Sequence, residues 1–167
     1  MSLQRHTMKP SRPTFARKVL AYIIALIIAA ALCSLVQSQF NLMAIASLVE
    51  QVSLSDWLYT LWFDLQSFAP TMLVILAPVL LLSLIVSRLL RPLIRINVLW
   101  LAVTITGVAL LLALSVINTL APMPTLIAAS RGVAGSLALA LSAAAGAAIY
   151  VSLTRNSLTC NSEAKNG

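Results

Sequence analysis

Charge is what this chain lacks most. Only 9% of its 167 residues are charged, and four are acidic. A soluble domain of this length would need about a quarter of its residues charged to solvate its surface, so the solvent for most of the chain must be lipid. Histidine occurs once, at His6, and cysteine twice, at Cys33 and Cys160. Neither cysteine belongs to a CxxC or Cys/His cluster, which argues against a structural zinc site. One lies in an apolar run and the other in a polar tail, so no disulfide is expected between them. Nothing resembles a nucleophile with its base, a glycine loop that cradles phosphate, or a metal-ligand helix. An enzyme is therefore the weaker reading, and no catalytic, cofactor-binding or metal residue is assigned.

What is present is hydrocarbon and a few well-placed cations. Hydrophobic residues make up 60% of the chain, and the mean hydropathy is +0.99. The net charge is +7, gathered in three places: an N-terminal group (Arg5, Lys9, Arg12, Arg17, Lys18), one short connection (Arg88, Arg91, Arg95) and the C-terminus (Arg155, Lys165). That distribution reads as membrane topology and not as phosphate readout along a nucleic acid.

The polar, basic leader 1–18 includes Met8, an alternative start. Val19–Val36 then runs eighteen residues without a charge. At about 1.5 Å per residue this is roughly 27 Å, against a hydrocarbon core of about 30 Å. The run is longer than a usual signal-peptide h-region, and no small-x-small site followed by a mature polar domain appears, so an uncleaved span is expected. Three further spans are expected at Thr71–Ser87, Asn97–Thr119 and Arg131–Leu153, with a polar tail over 154–167. The expected fold is thus all-α: a polytopic bundle of four transmembrane helices forming one membrane domain over 19–153, with an outer-face interfacial amphipathic helix between the first two spans.

That helix falls within the segment 37–69. Gln37–Ser53 is mildly polar and reads as a short helix or re-entrant element at the membrane surface, with Asn41 and Glu50 on it. In the stretch that follows, Leu54, Trp57, Leu58, Leu61, Trp62, Leu65 and Phe68 recur at helical spacing, the pattern of an apolar face. Ser53 or Ser55 suits its N-cap, and Pro70 the first turn of the next helix. Asp56, Thr60 and Asp64 line the opposite face. They form either a solvated polar surface or a cation or proton site, although about 12 Å separates the two carboxylates along the axis. The tryptophans and Tyr59 suit a membrane–water boundary.

Lys and Arg are absent from 37–69 and present on both tails and in the 88–95 connection, so the positive-inside rule places both termini in the cytoplasm and 37–69 outside. Arg131 is then the one basic residue on the outer side. A charge so close to hydrocarbon either pairs, with Asp64 or else Asp56 or Glu50, or snorkels to headgroup phosphates. Pro78 is expected to kink the second span, and with Thr104, Thr106 and Gly107 it offers a possible midplane polar site. In the fourth span Gly132, Ser136, Ala140, Ala144 and Ala148 repeat every four residues. This is a small-residue stripe for close helix packing within the bundle or between protomers.

The runs Asn41-Leu42, Val52-Ser53-Leu54-Ser55-Asp56, Asp64, Phe68-Ala69-Pro70, Pro124 and Ala129-Ser130-Arg131-Gly132 resemble a group of short bacterial four-span membrane proteins, over about residues 15–155. The resemblance implies a bacterial inner-membrane setting and carries no activity with it. Three function classes follow: an accessory or assembly subunit docking a membrane or periplasmic protein through 37–69, a small homo-oligomeric carrier or channel, and a lipid-handling enzyme using Asp56 and Asp64.

Overall fold

The computed structural model describes residues 14–46, 53–94, 96–120, 129 and 132–163, with side chains to Arg155. Among the described residues the chain forms α1 (Phe15–Ala46), α2 (Leu54–Ser67), α3 (Ala69–Leu90), α4 (Val98–Leu120) and α5 (Val133–Glu163), and no strand. All but α2 are long and apolar enough to cross a membrane. The chain is a multi-pass membrane protein built as a four-helix bundle. Successive spans run antiparallel, and the packing order round the bundle is α1, α3, α4, α5 and back to α1.

Two helices outrun the spans expected for them. α1 continues through Gln37–Ala46, where a separate surface element was expected. The polarity that suggested an exit from the membrane is turned inward instead. Ser34, Gln37 and Ser38 are buried, and the Ser38 hydroxyl donates to the Ser34 carbonyl at 3.0 Å. With no proline or glycine in this stretch, nothing stops the helix. α5 likewise runs through Glu163, past the expected boundary at Leu153. At about 1.5 Å per residue, the 32 residues of α1 reach about 48 Å, well beyond a hydrocarbon core of about 30 Å.

The core is asymmetric in residue size. α3 and α4 fill it with Leu76, Leu80, Leu110 and Leu114, whereas α1 and α5 present Ala25, Ala29, Ala143 and Ala147. Lipid tails are as apolar as leucine, so helices in a bilayer associate chiefly through close packing of small residues. The tightest approach is therefore at the α1–α5 seam. A Cβ on Gly146 would stand 2.6 Å from the Ala29 Cβ and 3.2 Å from the Ala25 carbonyl oxygen.

Polar groups knit the spans together at intervals. The Tyr22 hydroxyl on α1 donates to the Ala77 carbonyl on α3 at 2.6 Å, one residue before Pro78. The carbonyl that Pro78 deprives of its usual helical donor is that of Val74, one turn back, so the bond from Tyr22 is an additional tie. α3 remains one helix across Pro78, which lies on its exposed side.

Candidate functional site

Two places in the bundle carry chemistry beyond packing, one at each end. The first is α2. Ser53 caps it in extended conformation, accepting from the Ser55 amide at 3.4 Å, and Asp56 sits in the first turn. Phe68 alone separates α2 from α3: its amide donates to the Asp64 carbonyl at 2.7 Å, and its own carbonyl accepts from Met72 at 3.0 Å. Pro70 takes its place in the first turn of α3. The Ser34 hydroxyl of α1 also donates to the Asp64 carbonyl, at 3.1 Å, clamping the far end of α2 to the bundle.

The helix sits rotated from the simple division into apolar and polar faces. Trp57, Leu61, Leu65 and Phe68 turn toward the bundle and are half-buried, but so are Thr60 and Asp64. Leu58, Tyr59, Trp62 and Phe63 point away, 64%, 71%, 61% and 56% exposed. No residue of α2 is fully buried. The consequence is a broad outward strip of aromatic and aliphatic side chains. Asp56 is exposed, and the Thr60 hydroxyl is committed to the Asp56 carbonyl at 2.8 Å. Asn41 is half-buried on α1. Glu50 and Arg131, and with them the expected pairing of Arg131 with Asp64, lie outside the described residues. Among the described residues no three of His, Cys, Asp and Glu gather as a metal-binding group.

Replacing Ser34 with alanine should release the clamp without disturbing the spans. A hydrogen bond of this kind contributes about 1 kcal/mol. We expect S34A to speed amide exchange across Leu54–Ser67 while leaving exchange in α4 unchanged; equal exchange in α2 of both proteins would show that the clamp holds nothing.

The expected midplane site is dispersed. Thr104 is exposed and donates to the Trp100 carbonyl at 2.9 Å of its own helix. Thr106 is fully buried, its hydroxyl oxygen without a hydrogen-bond partner. Gly107 faces the Ala140 carbonyl, 3.8 Å from where a Cβ would sit. Pro78 is exposed, so these residues do not share a face. The small-residue stripe of α5 is divided as well. Ala140 and Ala144 are buried in the bundle, Ser136 and Ala148 are half-buried, and Gly132 is exposed with nothing within 4 Å of a Cβ. The residues that meet α1 include Leu139, three positions after Ser136, and Gly146, two after Ala144. The alternation of Ala21, Ala25 and Ala29 along α1 was the available signal for that seam.

The second place is at the opposite end of the bundle. There the start of α1, the α3–α4 turn and α5 surround an open cavity of about 660 Å³. Lys18, Arg88, Arg91 and Arg155 contribute to its wall, and among the described residues none of those lining it is acidic. Arg88 Nη2 donates to the Tyr150 hydroxyl at 3.1 Å. Asn97 opens α4 there, its side-chain oxygen accepting from the Leu99 amide at 3.3 Å. The charge clusters in the sequence identify these cations but not their convergence, because they come from residues as far apart as 18 and 155.

Compared with known protein families, curated proteins and solved structures, the chain finds no match in any of the three. The resemblance to short bacterial four-span proteins therefore rests on its motif residues alone.

Proposed function

We propose that this chain is an accessory or assembly subunit of a bacterial inner membrane, with both termini cytoplasmic, that docks a membrane-embedded partner protein through α2. The observation that carries the reading is the outward strip Leu58, Tyr59, Trp62 and Phe63 on a helix fixed at its far end. Aromatic side chains supply large contact area at low entropic cost, and they dominate binding energy where proteins meet. A helix meant only to rest on lipid would keep its polar side toward water. Here the strip extends over positions flanking the bundle-facing side, leaving Asp56 as the exposed carboxylate of α2. The orientation rests on the absence of Lys and Arg from 37–69, and on the gathering of Lys18, Arg88, Arg91 and Arg155 at the other end.

Purification from native membranes in a gentle detergent tests the reading. We expect a stoichiometric protein partner with the unaltered chain, and its loss with the double substitution Leu58→Ser and Trp62→Ser, while the variant still inserts and melts normally. Recovery of the unaltered chain alone, or as a homo-oligomer supporting solute flux in liposomes, would reject the docking role in favour of a carrier or channel.

A further inference from the structure

The cavity at the basic end is built for an anion, independently of any docking at α2. We propose that it binds the phosphate group of an anionic membrane lipid. Lys18 reaches it from α1, Arg88 and Arg91 from the end of α3, and Arg155 from α5, with no carboxylate in the wall among the described residues. Like charges round one opening repel one another, and an anion among them is attracted by each. Arginine suits phosphate in particular, because its planar fork donates two parallel hydrogen bonds to neighbouring oxygens.

Tyr150 gives the cavity a fixed polar point. It is 7% exposed, and its hydroxyl oxygen accepts from Arg88 Nη2 at 3.1 Å. That bond aims the guanidinium and leaves the hydroxyl proton free to be donated elsewhere. A lipid source is favoured over soluble phosphate by the rest of the lining. Leu84, Val98, Ala102 and Val151 supply apolar wall beneath the cations. A glycerophosphate can set its charged group among the arginines and its glycerol and acyl roots against that wall. A free phosphate would leave the apolar part of the 660 Å³ unused. Basic pockets between transmembrane helices hold acidic headgroups by this division of labour.

The test is native mass spectrometry of the full chain in neutral detergent, titrated with phosphatidylglycerol or with phosphatidylcholine of identical acyl chains. We expect a preference for phosphatidylglycerol of about 25-fold or more, because each basic residue near an anionic headgroup is worth roughly a fivefold gain. The double substitution Arg88→Gln and Arg91→Gln should remove about 25-fold of that affinity by the same measure, with an unchanged melting temperature in neutral detergent. Both arginines are exposed, so their loss leaves the core intact. Tyr150→Phe keeps the ring in place and should weaken phosphatidylglycerol binding by a smaller factor, without affecting phosphatidylcholine. Equal binding of the two lipids by the unaltered chain, or a preference that survives the arginine substitutions, overturns the proposal. Stabilisation by millimolar inorganic phosphate without a preference for phosphatidylglycerol overturns the lipid as the source and assigns the cavity to a soluble anion.

Discussion

Gly146→Leu is expected to abolish the folded bundle. A Cβ alone at this position would lie 2.6 Å from the Cβ of Ala29 and 3.2 Å from the Ala25 carbonyl oxygen. Neither neighbour can swing aside, since one is a methyl fixed to its backbone and the other is backbone. Even Gly146→Ala must push α1 and α5 apart by some tenths of an ångström, and overpacking of a tight core costs about 1–3 kcal/mol. Leucine adds three more carbons at the same point and forces a wider separation. Because small-residue contact is the main attraction between helices in lipid, the whole α1–α5 seam is lost with it. Thermal unfolding in a mild detergent should show a lower midpoint for the alanine variant and no cooperative transition for the leucine variant. A leucine variant that melts like the unaltered protein would mean the seam is not where the stability lies.

The second large effect is expected at Ala129, in the connection between α4 and α5. Its amide donates to Gln37 Oε1 on α1 at 2.8 Å, and both residues are buried. Gln37→Leu has similar bulk but leaves that amide unpaired, which costs about 1–3 kcal/mol. On its other side Ala129 lies against Gly135, where an added Cβ would collide with the Ala129 carbonyl. Gly135→Ala therefore dislodges the same residue from the opposite direction. Each substitution should lower the unfolding midpoint. Combined, they should cost less than the sum of the two, because the second acts on a residue already displaced. Strict additivity would show that the two sites are not coupled through Ala129.

Those two sites mark where sequence was sufficient and where it was not. Four spans, their antiparallel order, the Ser53 cap of α2 and the first-turn Pro70 are all legible, because each depends on local composition or a local hydrogen bond. The extension of α1 to Ala46 was not. Gln37 and Ser38 look like water-facing residues in isolation; the Ala129 amide across the bundle satisfies Gln37, and the Ser34 carbonyl of the same helix satisfies Ser38. The small-residue pattern of α5 was visible, but the face that meets α1 carries Leu139 and Gly146, which do not fall on that four-residue repeat. A leucine inside that face hid it. For α2, periodicity gave a helix but not its rotation, which the clamp at Asp64 and the joint at Phe68 determine. The basic cavity assembles from all four spans, and no local pattern records such a meeting.

The tight seam also has a consequence in time. α1 leaves the ribosome before α3, α4 and α5, so among the described helices the closest pair joins the earliest span to the latest. Until α5 has inserted, the alanine face of α1 is open to lipid and Gln37 lacks its buried partner beyond α4. α3 and α4, linked by a short turn, can pair early because their ends are already close. The bundle is thus sealed by its final helix, and a chain cut short before Val133 inserts as a set of spans that cannot close.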